Sequence, residues 1–104
     1  MDAQIKKGVL EMCILQKLSA KDYYGYNLMQ EMKTLFPEVS DSTFYSILRR
    51  LNKMGDAIIY YGNDSGGPQR KYYQITEQGK MSLKKKNEEW MQLQKIVLSL
   101  NSGQ

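Results

Sequence analysis

Histidine is absent from this sequence of 104 residues, and cysteine occurs once, at Cys13. Together these shortages exclude much chemistry. A protein zinc site is normally built from cysteine and histidine, and Ser-His-Asp or Cys-His nucleophile systems need an imidazole base. No disulfide can close within the chain, which suits a reducing compartment. Cys13 lies among Met12, Ile14 and Leu15 and is expected to pack as a small hydrophobe. No apolar run reaches the ~18 residues of a membrane span, and no leader pattern is present, so a soluble cytoplasmic protein without membrane contact is expected. Paired carboxylates in a cleft pattern are missing too. "GGPQRK" lacks the lysine-serine ending of a P-loop. Neither an enzyme nor a metal or other cofactor is expected.

What is present is a surplus of positive charge, unevenly placed. The net charge is +4, from 15 basic and 11 acidic side chains. Residues 1–40 carry five of each sign, whereas residues 41–76 and 77–104 each hold five basic against three acidic. The excess begins at "SDSTFYSILRRLNKMG", residues 40–55, as expected if the second half faces a polyanion. Here Phe44, Ile47, Leu48 and Leu51 form one apolar stripe at helical period. Ser40 suits the N-cap, Asp41 the positive end of the dipole, and Gly55 a left-handed C-cap. Ser42, Thr43, Tyr45, Ser46, Arg49, Arg50 and Lys53 are left outside. That stripe fits either an ordinary solvated face or one that grips phosphates and base edges.

The surrounding pattern favours the second reading. Residues 4–18 read as a helix apolar around much of its girth, which needs two packing partners. Residues 19–23 form a break with Asp22 as a candidate cap. The stretch 24–36, "YGYNLMQEMKTLF", reads as a second helix with Leu28, Met32, Leu35 and Phe36 inward, closed by Pro37. After Gly55, "AIIYY" and "RKYYQIT" read as two strands around "GNDSGGPQ", a β-hairpin with a flexible tip, with Tyr72 and Tyr73 on opposite faces. Thr76 then caps a long helix to about Leu100, with "NSGQ" fraying beyond it. The expected fold is mainly α with a small β-hairpin: a winged helix-turn-helix over residues 1–76 and one long C-terminal helix over 77–104. In that order the third helix fits the major groove and the hairpin, with Arg70 and Lys71, reaches the flanking backbone.

The last helix carries its own signal. Leu83, Trp90, Leu93, Val97 and Leu100 are spaced 7, 3, 4 and 3, the rhythm of a helix seam, with Lys86 interrupting it. They are expected to form a homodimer interface, with Trp90 facing its twin or the partner's first helix. "KKK" at 84–86 reads as a solvated face. Trp90, with Met12 and Met91 as pliable walls, is read either as interface packing or as the border of a slot for small planar aromatic ligands.

Three motifs in register are similar to the PadR family of bacterial transcriptional regulators, in its short subclass with a single C-terminal helix. "YYGYNLMQEM" at 23–32 resembles the glycine-tyrosine opening of the family's second helix. "STFYSILRRLNKMGDAI" at 42–58 resembles its threonine-hydrophobe-tyrosine and L-x-R-L-x-x-x-G pattern. "GGPQRKYYQITEQGK" at 66–80 resembles its wing and threonine-glutamate-x-glycine junction. Asp56-Ala57 departs from the pattern, since an apolar residue often follows the glycine. The resemblance implies a homodimeric regulator that binds double-stranded DNA, usually a repressor and in some relatives a sensor of drug-like ligands, and two-fold symmetry then leads to an inverted-repeat site. The DNA-contacting residues it implies are Tyr45, Arg49 and Arg50 on the third helix, Arg70 and Lys71 on the wing and Tyr24 at the start of the second helix; Ser42, Thr43 and Ser46, near the N-terminal half of the third helix, are placed to read base edges. A winged helix that binds protein instead of DNA is the alternative.

Overall fold

In the computed structural model, the backbone is described for residues 3–63 and 67–102 and the side chains for 6–63 and 67–101. The elements in chain order are α1 (Ala3–Ala20), β1 (Tyr23–Tyr24), α2 (Gly25–Leu35), α3 (Asp41–Met54), β2 (Ala57–Gly62), β3 (Arg70–Ile75) and α4 (Glu77–Ser102). The expected fold class holds, with one addition. The hairpin is part of a three-stranded antiparallel sheet in the order β1-β3-β2. Tyr23 and Tyr24 pair with Tyr73 and Tyr72, so the break between the first two helices is itself a short strand.

α1 is the hub. Leu10, Ile14, Leu15 and Leu18 are buried against α2, α3, the sheet and the start of α4. α3 buries Phe44, Ile47, Leu48 and Leu51, as its period requires. Its ends are the expected ones. The Thr43 amide donates to Ser40 Oγ at 3.3 Å, and Gly55 closes the helix at φ 87°, a conformation that costs a side chain but not glycine. Tyr73 faces the core while Tyr72 lies on the other side of β3. The Thr76 hydroxyl accepts from the Gly79 amide at 2.9 Å, capping α4.

Several expectations are corrected. Leu35 is 57% exposed, because as the last residue of α2 it falls at the edge of the buried line of Gly25, Leu28, Met29 and Met32; Phe36, just beyond, is the residue packed on the core. Asp22 caps no helix. Its Oδ2 accepts from the Tyr60 hydroxyl at 2.7 Å and Gln74 Nε2 at 3.1 Å, joining the β1 end of the sheet to β2 and β3. Asp56 leaves the start of β2 in place at Ala57 and is itself buried, accepting from Gln78 Nε2 and Ser82 Oγ. α4 continues to Ser102, past the expected fraying point. Asp64, Ser65 and Gly66 of the hairpin tip, and Gly103 and Gln104, lie outside the described residues. Among those described, no helix is long and apolar enough to cross a membrane.

Candidate nucleic-acid interface

At about 100° per residue, Ser42, Ser46, Arg49 and Lys53 run along the side of α3 opposite its buried stripe. All four are exposed. Lys53 lies outside the DNA-contacting set expected from the sequence; its position four residues after Arg49 was the available signal. Ser42 and Thr43 are drawn into the cap, their hydroxyls 3.1 and 2.9 Å from Ser40 Oγ. Tyr45 turns toward the opening of α2. Burial first, then Asp41 and the neighbouring Tyr24, Tyr73 and Tyr26, hold its phenol above the ordinary value of 10.0, which keeps it a donor. Arg50 leaves the outer line for the flank nearest α1, with its Nε 3.2 Å from Glu11 Oε1.

The wing and the start of α2 are joined by rings. Tyr60 and Tyr72, paired across β2 and β3, stack at 5.4 Å and 9°. Tyr72 lies 6.1 Å from Tyr24, and the Arg70 guanidinium sits 4.9 Å over the Tyr24 ring. Tyr24 is also the N-cap of α2, and no side chain caps that end. The first amides of α2 and the Arg70 cation therefore border one surface, with Lys71 exposed on the other side of β3, and helix-start amides are ready partners for an anion. Lys71 Nζ lies 5.7 Å over the Tyr73 ring, which steadies its stem without neutralising it. An exposed hydroxyl-and-cation helix beside a cationic wing is an arrangement for duplex recognition.

Comparisons with known proteins bear on the family of the chain. The Transcriptional regulator PadR-like family model matches residues 14–85, from the middle of α1 into the first turns of α4. The chain belongs to the PadR-like family. An uncharacterised protein of Lysinibacillus sphaericus is 35% identical over 98 residues, covering 91% of this chain and 90% of that one. The crystal structure of a PadR-like transcriptional regulator from Bacillus cereus matches with a TM-score of 0.86 at 35% identity, over 98% of this chain and all of the other. A Streptococcus transcriptional regulator matches at 0.88 and 28% identity, over 97% of this chain. This PadR-like protein is thus a transcriptional regulator with a winged-helix fold, and DNA binding follows. The family and these solved relatives are regulators, not enzymes.

The second cluster lies on α4. Trp90 is 39% exposed and lines a groove of about 310 Å3 between α1 and α4, together with Gly8, Val9, Met12, Lys86 and Leu93. Met91, expected beside Trp90, lies elsewhere: one residue is a rotation of about 100°, and Met91 faces a separate hollow with Glu88 and Leu98. Leu83, expected in the seam, is only 7% exposed and belongs to the core of its own chain. Lys86 also turns inward, its Nζ 3.8 Å from Glu11 Oε2. Leu93, Val97 and Leu100 remain exposed, with Ile96 beside them.

Proposed function

We propose that this protein is a homodimeric repressor that binds an inverted-repeat operator, with one α3 in the major groove of each half-site. The carrying observation is the outward line of Ser42, Ser46, Arg49 and Lys53 beside the Arg70–Lys71 wing. In this reading the serines and Tyr45 meet base edges or adjacent phosphates, while the lysines and arginines neutralise phosphate. Thr43 supports the cap, and the α2 amides beside Tyr24 hold a phosphate of the flanking backbone. Residues 1–76 serve as the DNA-binding unit and 77–104 as the dimerisation helix. Four apolar side chains exposed along the last turns of α4 form a patch of the kind that is covered by a partner. Two-fold symmetry then sets the half-sites about 10 bp apart, one helical turn.

The groove beside Trp90 supports a regulatory reading. Met12, Val9 and Leu93 give it apolar walls, and Trp90 offers a face for stacking. Small planar aromatic ligands seated there, near the partner subunit, release DNA if they favour a dimer shape that misplaces the recognition helices. The protein acts in the cytoplasm and needs no cofactor or metal. The test is selection of duplexes from a random pool, followed by footprinting on the enriched site. An inverted repeat protected by a dimer is expected. A single half-site bound by a monomer defeats the dimeric reading, and the absence of salt-dependent duplex binding favours a winged helix that docks on protein.

A further inference from the structure

Glu11 is a carboxylate where the fold has little room for one. It sits on α1 between the core residues Leu10 and Ile14, and only 7% of it is exposed. A charge taken from water costs several kcal/mol unless cations and hydrogen bonds replace the lost hydration. Two cations do approach. Arg50 Nε, from α3, is 3.2 Å from Oε1, and Lys86 Nζ, from α4, is 3.8 Å from Oε2. Neither forms a well-directed hydrogen bond, and Oε1 is left with no hydrogen-bond partner. This is a poor design for stability alone, where a two-pronged arginine pair would satisfy both oxygens.

The side of Arg50 that is engaged explains the arrangement. Its Nε edge faces Glu11 Oε1 and also donates to Met54 Sδ at 3.4 Å. Its two terminal nitrogens have no partner among the described residues, and the side chain is 48% exposed. The guanidinium is therefore held by its inner edge at the flank of the recognition helix while its fork stays open. A fork of that shape fits the two oxygens of a phosphate. We propose that Glu11 is a positioning residue for DNA binding, which fixes Arg50 before the phosphate of the operator backbone arrives. Lys86 shares the same carboxylate and forms part of the groove beside Trp90. The groove wall is thereby one shared counter-ion away from α3, and a ligand that moves Lys86 alters the hold on Arg50.

This inference rests on the DNA-binding reading, and a double-mutant cycle separates the two. The operator affinity and its salt dependence are measured for wild type, Glu11→Gln, Arg50→Ala and the double variant. Arg50→Ala should flatten the log–log salt slope by about two units per dimer. Glu11→Gln should keep the slope, since every cation remains, yet weaken specific binding roughly tenfold. Two rotamer-rich side chains per dimer must then be ordered during binding and not before it. The double variant should bind no worse than Arg50→Ala alone. Additive losses would overturn the positioning role while leaving DNA binding intact, and a wild type without salt-dependent duplex binding would overturn both. If Glu11→Gln does not fold, Glu11→Asp keeps the charge but withdraws it by one methylene. It should show the same loss at unchanged slope, and full wild-type affinity would refute the proposal. The order of the Arg50 side chain gives a readout without DNA: a high Nε order parameter in wild type and a lower one in the Glu11 variants are expected, and equal values count against the anchor.

Discussion

The Gln78 side-chain amide donates to Asp56 Oδ1 at 3.0 Å and to the Met54 carbonyl at 2.7 Å, stitching the first turn of α4 to the end of α3. Ser82 Oγ adds a 3.0 Å bond to the same carboxylate, and Thr76 Oγ1 donates to the Gly55 carbonyl at 2.6 Å. The end of α3 and the start of α4 are thus fastened together.

The fastening is tight enough to forbid a methyl group. A Cβ at position 79 would overlap the Asp56 carbonyl oxygen and crowd Ile75 Cγ1. Gly79→Ala should lower stability by about 3 kcal/mol or more, because backbone and not a flexible side chain must move. Asp56→Ala should cost about 1–3 kcal/mol by stranding the Gln78 and Ser82 donors. Urea unfolding checks both, with the midpoint falling and the m-value unchanged.

A pH effect is expected from α2. Glu31 Oε1 accepts from Lys17 Nζ at 2.8 Å and from the Tyr23 hydroxyl at 3.0 Å. The Lys17 bond chiefly holds its carboxyl below the ordinary value of 4.5. A carboxyl lowered by folding stabilises the protein above its unfolded value, and that contribution is lost as pH falls through the folded value. Glu31→Gln should therefore destabilise at pH 7, by less than about 1 kcal/mol because the pair is partly solvated. The difference from wild type should shrink steadily as the pH is lowered below 4.5. Thermal melts of the two proteins across that range decide it.

Electrostatics should dominate operator affinity. Arg49, Arg50, Lys53, Arg70 and Lys71 are the available cations in each of two subunits, and if about 6 to 8 of them meet phosphate the log–log salt slope is roughly −5 to −7. Lys71→Ala should flatten the slope by one to two units and weaken specific and random duplexes alike, since a phosphate contact carries no sequence information. An unchanged slope would make Lys71 a solvated hairpin charge held by Tyr73.

Local pattern made most of the fold legible. The α3 stripe, Ser40, Gly55 and the strand alternation at Tyr72–Tyr73 each act within a few residues, and each was readable. β1 was not, because two residues show no period and their partners lie some fifty positions away. Leu83 exposes a deeper ambiguity: a heptad position has the same spacing whether it packs in its own chain or against a partner. The Glu11–Arg50–Lys86 cluster unites three helices, so nothing local in the sequence announces it. On the site itself, composition identified the outer face of α3, but only the packing of α1 separated Arg50 on the flank from Arg49 and Lys53 on the outer line.

The dimer should part at α4. Leu93 and Val97 are about half exposed and stand on the side of the helix that also carries Leu100. Leu93→Asp would place two carboxylates in a desolvated seam, an arrangement that costs far more than a lost contact. Sedimentation should show a monomer, and operator affinity should fall because one half-site alone remains to each subunit. A variant that stays dimeric would place the interface elsewhere, with the exposed side of α1 the next candidate.

Trp90 should report ligand binding directly. Its ring borders the groove with Met12, Val9 and Leu93, and the apolar seam residues continue from Leu93 toward the C-terminus. A groove of about 310 Å3 in one subunit is at the small end for a drug-sized molecule. A second subunit laid along α4 would add a facing wall, so the dimer is the expected binding species. Titration with flat aromatic dyes should quench Trp90 fluorescence, with saturation at a fixed dye-to-dimer ratio. Trp90→Ala should lose binding while keeping the dimer, because the neighbouring apolar residues of α4 remain. The Leu93→Asp monomer should lose most of the affinity even though its tryptophan is intact. Dyes that neither quench Trp90 nor depend on it would leave the indole as interface packing, and equal binding by monomer and dimer would confine the site to one chain.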